Sequence, residues 1–288
     1  MSRLFRLAVT SVHVKGPVEG CVGAIEEAAR RGADLVLLPE EPDVVGGGET
    51  GRHGLEDHPA YLALSEAAAK RRIGVVGSLS VRLSAPQADL FHRDQTGVAN
   101  LGFLLNRRAN LVGTYWKKHP APSEEFIATD QCDADGRPDP FPVFDFEGVK
   151  LGIAICMDIH FPEMFRIYGL KGADLVCMPT MYLDYTGDML EAVEKARAVD
   201  NGMYLALSRY IDLPFLSGKS MGYAKVVAPD GRVIVSTGHK PGVAVAEFDP
   251  KWRFPFWGEG YGGNLRTMFE MVRRPDLYGE LLRRGKEG

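Results

Sequence analysis

With 288 residues, 45% hydrophobic and 25% charged, the chain has the makeup of a water-soluble globular protein, large enough for one big domain or two small ones. Its net charge of -4 gives no electrostatic reason to bind nucleic acid or an anionic membrane, and its longest apolar runs fall far short of the roughly 18 residues that span a bilayer. Four cysteines without CxxC spacing, and an N-terminus lacking a basic start, an apolar stretch and a cleavage site, lead us to expect no secretory signal and a reducing, cytoplasmic setting.

In chain order, Phe5 to Val14 reads as a buried strand. Val18, Val22, Ile25 and Ala29 stand at helical spacing up to Gly32. Ala33 to Leu38 is an apolar strand stopped by Pro39, followed by a glycine-rich loop and a helix from about Pro59 to Arg72. Strands are expected at Ile73 to Val81, Val98 to Leu105 and Asn110 to Trp116. Lys118 to Pro140 is a long polar connection, of the kind that often carries function. The second half repeats the rhythm: strands Phe141 to Phe146 and Val149 to Ile155, helix Pro162 to Lys171, strand Ala173 to Met178, helix Asp188 to Asn201. Strands Tyr204 to Ser208, Ser220 to Ala228, Arg232 to Ser236 and Val243 to Phe248 follow, with a hairpin turn at Pro229-Asp230-Gly231. The stretches GADLVLLP at Gly32 and GADLVCMP at Gly172 are nearly identical and both follow a helix, which suggests two similar halves within a single domain spanning 1–288. From about residue 250 the chain is aromatic and basic, and reads as a C-terminal arm docked on a partner subunit.

Three reactive side chains sit at the ends of strand-like runs. Cys156 ends one strand just before a turn into a helix, a placement that exposes a nucleophile and aims the N–H of Met157 at a bound carbonyl as an oxyanion donor. A thiol is mostly protonated at neutral pH and needs a base or a nearby cation. Glu40 follows an apolar strand and a proline; a carboxylate at such a buried end is costly unless paired or functional, and burial tunes it toward a general base. Its neighbour Glu41 reads as a surface residue. Lys117 ends a strand behind two aromatics, where its ammonium can stabilise an oxyanion, and Glu124 in the next loop would keep it charged. The bland reading of each remains open: Glu40 capping a strand, Lys117 at a solvated strand end, and Cys156 as a small buried hydrophobe, as Cys21 and Cys177 are read.

Leu38-Pro39-Glu40, Tyr115-Trp116-Lys117-Lys118-His119 and Cys156-Met157-Asp158-Ile159-His160-Phe161-Pro162-Glu163 together resemble the nitrilase, or carbon–nitrogen hydrolase, superfamily with its Glu–Lys–Cys triad in that order. Pro122-Ser123-Glu124, Ala196 to Asn201 and Ser217 to Ser220 echo further motifs, so the likeness runs from residue 4 to about 250. It implies an α/β fold, a four-layer α-β-β-α sandwich with two mixed six-stranded-type sheets, and assembly as a homodimer or larger homo-oligomer. It implies hydrolysis of a small-molecule amide or N-carbamoyl C–N bond through a thioester, with no cofactor and no metal. Met157, Tyr182, Asp184 and Arg209 are expected to bind the oxyanion or substrate. A nitrile substrate, acyl transfer to an amine and a non-catalytic binding role stay open.

Other signals carry less. Gly46 to Gly51 fits GxGxxG but does not directly join a strand to a helix. Gly218-Lys219-Ser220 mimics a P-loop end, but Leu213 holds the place of its first glycine. The seven histidines show no metal-ligand spacing; His119 and His160 adjoin the motifs, where hydrogen bonding to the site residues and plain packing are both open.

Overall fold

The computed structural model describes residues 4–83, 97–121, 124, 139–181, 187–212, 223–255 and 263–282. The first half builds β1 (Phe5–His13), α1 (Pro17–Arg30), β2 (Leu35–Leu37), α2 (Pro42–Val45), α3 (Pro59–Arg71), β3 (Gly74–Arg82), β4 (Val98–Leu105) and β5 (Leu111–Trp116). The second builds β6 (Val143–Phe146), β7 (Val149–Ile153), a 3-10 turn (Cys156–His160), α4 (Pro162–Leu170), β8 (Leu175–Pro179) and α5 (Gly187–Val199). It continues with β9 (Tyr204–Ile211), β10 (Lys225–Val227), β11 (Val233–Ser236) and β12 (Gly242–Phe248), then α6 (Leu265–Val272).

The fold is the expected mixed α/β sandwich. β5-β4-β3-β2-β1 with β12, and β6-β7-β8-β9 with β10 and β11, form two six-stranded halves. They are not separate sheets. The end of β1 pairs in parallel with β9 (Ser11 with Arg209, His13 with Ile211), joining the twelve strands of the described residues into one sheet, with β10, β11 and β12 off its main path. The halves also face each other across one apolar core, in which Leu7, Leu37, Val76 and Tyr115 meet Leu151, Ile153, Leu175 and Leu205. The approach is close: a Cβ at Gly102 would lie 2.8 Å from Ile153 Cγ2. α1 and α3 cover the outer side of the first half through Cys21, Ile25, Leu64 and Ala68. α4 and α5 cover the second through Phe165, Tyr168, Leu190 and Ala198.

The repeated octapeptide does the same work twice. Gly32 and Gly172 both take positive φ just after a helix, a conformation a side chain would strain. Asp34 and Asp174 then return the chain to the sheet. Their N–H groups bond to Arg6 O and Lys150 O at 2.7 Å each. Their carboxylates accept from Arg6 N (2.8 Å) and Lys150 N (2.9 Å). Each short parallel strand then stops at a proline, and the residues beyond the two strands, Glu40 and Thr180-Met181, come together.

Several elements differ from expectation. β9 runs through Arg209 to Ile211 rather than ending at Ser208, because it pairs with β1 there. β10 is only Lys225–Val227, and Ser220 lies outside the described residues. α2, in the glycine-rich loop, and α6, in the tail, had no counterpart in the periodicity reading. Of the aromatic tail, Trp252 packs against the main core; Phe256, Trp257 and Tyr261 lie outside the described residues.

Candidate active site

The three motifs meet in one buried site. Leu38 extends β2 by bonding to Val76 O (2.8 Å), which delivers Glu40 to the sheet end at 2% exposure. Lys117 continues β5, its N–H on Asn100 O (3.0 Å), and is 1% exposed. Its Nζ donates to Glu40 Oε1 at 2.8 Å and to Glu124 Oε2 at 2.6 Å. Asn100 Nδ2 donates to the same two carboxylates, at 2.9 Å to Glu40 and 3.2 Å to Glu124. Met181 N–H takes the other Glu40 oxygen at 2.8 Å, so the equivalent strand ends of the two halves are bonded directly. Ala121 N–H donates to Glu124 Oε2 at 2.8 Å.

Cys156 opens the 3-10 turn with φ 45°, in the left-handed region. A non-glycine residue held there costs of order 1–3 kcal/mol, and such strain clusters at functional sites. Its sulfur is hydrogen-bonded to Glu40, to the Thr180 side chain and to the backbone of Met181. Burial above all, then the Glu40 charge, pushes the thiol up to about 12, against the pull of Lys117. The resting group is therefore a neutral thiol that ionises only as a base takes its proton. Burial likewise raises Glu40 above the usual carboxylate range; Lys117 opposes this and Glu124 adds to it. Burial works against the charge on Lys117, but Glu40, Cys156 and Glu124 outweigh it and hold the ammonium well above an ordinary lysine.

The turn itself is pinned by Asp158, which is fully buried. Asp158 Oδ2 accepts from Ile155 N–H (2.8 Å) and Tyr115 Oη–H (2.7 Å). Asp158 Oδ1 accepts from His119 N–H (3.1 Å) and lies 2.7 Å from His119 Nδ1. The His119 ring stacks on Phe161, with centroids 3.7 Å apart. His119 thus ties the lysine strand to the cysteine turn. Asp158 N–H, bonded to Ile155 O (3.0 Å), is the first to turn back inside the 3-10 turn. Met157 follows Cys156 in the first turn of this 3-10 segment.

The remaining expected site residues fall differently. Tyr182 and Asp184 lie outside the described residues. Arg209 is 2% exposed and ion-paired with Glu194 of α5, which also holds Lys225 Nζ at 2.7 Å. This places its guanidinium in a buried ion cluster under α5. Sequence reasoning missed Asn100, whose signal was a lone amide inside the apolar run Val98–Leu105. It also misplaced Glu41, which is 6% exposed, not a surface residue. Oxygens of Glu40, Glu41 and Glu124 lie within 4.8 Å of one another, a set that could hold a metal ion. The Lys117 ammonium already bonds to two of the three.

A thiol and an ammonium gathered around one buried carboxylate are the groups that covalent hydrolysis of a C–N bond calls for. Residues 11–253 match the family model described as carbon–nitrogen hydrolase, and the chain belongs to that family. It is 28% identical over 266 residues to a chloroplastic omega-amidase of Arabidopsis thaliana, covering 85% of this chain and 66% of the relative. Against an omega-amidase of Danio rerio it is 29% identical over 287 residues, covering 95% of this chain and 96% of the relative. A crystal structure of an amidase from Nesterenkonia sp. superposes with a TM-score of 0.69 at 25% identity, covering 87% of this chain and 92% of that one.

Proposed function

We propose that this chain hydrolyses the C–N bond of a small amide, or of an N-carbamoyl compound, through a thioester on Cys156. The observation that carries this is the buried Glu40, hydrogen-bonded at once to the Cys156 sulfur and to the buried Lys117. Glu40 takes the thiol proton as the sulfur attacks the carbonyl carbon. Lys117 Nζ and Met157 N–H hold the oxyanion. The C–N bond breaks, Glu40 returns the proton to the departing amine, and the acyl group stays on sulfur. Glu40 then takes a proton from water, whose oxygen attacks the thioester, and the free acid leaves with the thiol restored. One residue serves as base, acid and base again. Glu124 keeps Lys117 charged and in place. Tyr182 and Asp184, directly after Met181, are proposed for the pocket wall. Arg209, committed to Glu194, is assigned the support of β9 beneath it.

The similarity to amidases favours an amide over a nitrile. No described helix is long and apolar enough to cross a membrane. We take the chain as a single hydrolase domain working in a reducing compartment such as the cytoplasm, which suits its free thiols. The exposed Met271, Val272, Leu277, Leu281 and Leu282 near the C-terminus suggest a homo-oligomer, and a monomer by light scattering would refute that. The catalytic test is ammonia release from a panel of amides, N-carbamoyl compounds and nitriles by wild type and Cys156→Ser. Release from amides or carbamoyl compounds by wild type alone is expected. Equal release by Cys156→Ser, or release from nitriles only, would overturn the reading.

A further inference from the structure

Glu41 stands beside the general base yet has no part in the chemistry above. Its backbone is fixed: φ is 44°, in the left-handed region, and its N–H donates to Ser78 Oγ at 3.2 Å as the chain turns into α2. Its side chain is 6% exposed, and its carboxyl reaches within 4.8 Å of the oxygens of Glu40 and Glu124. Among the described residues, no hydrogen bond or ion pair reaches that carboxyl. Leaving a buried polar group without a partner costs about 1–3 kcal/mol, more if it is charged. A fold that orients such a group toward its reaction centre is short of a partner there.

Charge makes the missing partner specific. Three carboxyl groups, Glu40, Glu41 and Glu124, share one ammonium, and that ammonium is spent on the first and the last. The next group outward is again acidic: Asp43 accepts from Ser80 N–H at 3.2 Å and pairs with His58 Nε2 at 3.2 Å. Burial first, then the charges of Glu40, Glu124 and Asp43, push Glu41 well above the usual carboxylate range, with Lys117 opposing. Among the described residues, this group of carboxyls is therefore one cation short, and its charge disfavours a second anion.

We propose that Glu41 is a specificity residue, which receives an ammonium carried by the acyl part of the substrate and so selects amino-substituted amides over neutral or carboxylate-bearing ones. This rests on the amidase reading and names its substrate class. Glu40 touches the sulfur and Glu41 lies beside Glu40, so the ammonium sits only a few bonds from the scissile carbonyl. No bond forms or breaks at Glu41; it gives up its proton to solvent as the cation binds.

The test compares kcat/KM for 3-aminopropanamide, butyramide and succinamate, the first two differing only by an ammonium in place of a methyl group. Wild type should favour 3-aminopropanamide over each of the others by at least about tenfold, and Glu41→Gln should cut that preference to within about twofold, as expected on removing one partner of a desolvated ion pair. Wild type turning over butyramide or succinamate as well as 3-aminopropanamide, or a preference unchanged in Glu41→Gln, would overturn the proposal. A wild type that turns over none of the amides and forms no acyl-Cys156 would instead overturn the amidase reading, and this proposal with it. Should Glu41→Gln fail to fold, Glu41→Asp decides: it sets the carboxylate one methylene back, so the preference for 3-aminopropanamide over butyramide should drop by at least about threefold. An unchanged preference would overturn the proposal.

Discussion

Lys117 is the side chain on which the charges of the site depend. It is buried, it donates to two carboxylates, and the fold keeps its proton tightly bound. Truncating it strands Glu40 and Glu124 together without a cation. Breaking a buried pair in this way costs about 3–5 kcal/mol. Lys117→Ala should lose that much unfolding free energy in urea as well as its activity; a loss under about 0.5 kcal/mol, typical of surface sites, would mean that these charges are solvated. Glu41 makes the opposite prediction. Its folded-state pKa lies above its unfolded one. Its contribution is therefore fully present below the ordinary carboxylate range and is lost as pH rises through the folded value. Glu41→Gln removes that loss. The variant should gain on wild type as pH rises from about 5 to 9, by at least about 2 °C in Tm, the shift that about 1 kcal/mol produces in a chain of this size. A Tm difference that stays constant or shrinks would refute the burial of its charge.

Among the elements, the 3-10 turn after β7 sets the geometry of Cys156, and Asp158 sets the turn. Asp158 serves four donor contacts from Ile155, Tyr115 and His119. An asparagine offers one accepting oxygen instead of two and turns an N–H against a donor. Asp158→Asn should therefore cost about 1–3 kcal/mol and depress kcat more than KM, read by urea unfolding and steady-state rates. Wild-type kcat in this variant would detach the turn from catalysis. How much of this the sequence revealed follows from what is local. Strands ending at Pro39, Lys117 and Cys156 were legible because apolar runs and punctuating residues lie side by side in the chain. The octapeptide repeat exposed the two halves for the same reason. α2 escaped notice because four residues make too short a periodic signal, although Pro42 at its start is one. α6 escaped because its aromatic, glycine-rich approach hid a capping residue, Asn264, whose side chain accepts from Thr267 N–H at 3.0 Å. The burial of Glu41 could not be read from its neighbours. It depends on Ser78 and on Glu124, brought in from elsewhere in the chain. The extent of β9 likewise depends on β1, about two hundred residues earlier.

At the scale of the whole molecule, two similar halves share one core and one seam, and the site forms where their equivalent strand ends touch, at Glu40 and Met181. Neither half holds the site alone: Glu40 and Lys117 come from the first, Cys156 and Met181 from the second. The arrangement has a chemical meaning only if the sulfur carries the acyl group. Treating wild type and Cys156→Ala with a p-nitrophenyl ester, then weighing the intact chains and mapping the modified peptide, tests this directly. The expected result is one acyl group per wild-type chain, on the Cys156 peptide, and none on Cys156→Ala. Acylation of a different residue, or equal acylation of the alanine variant, would contradict it.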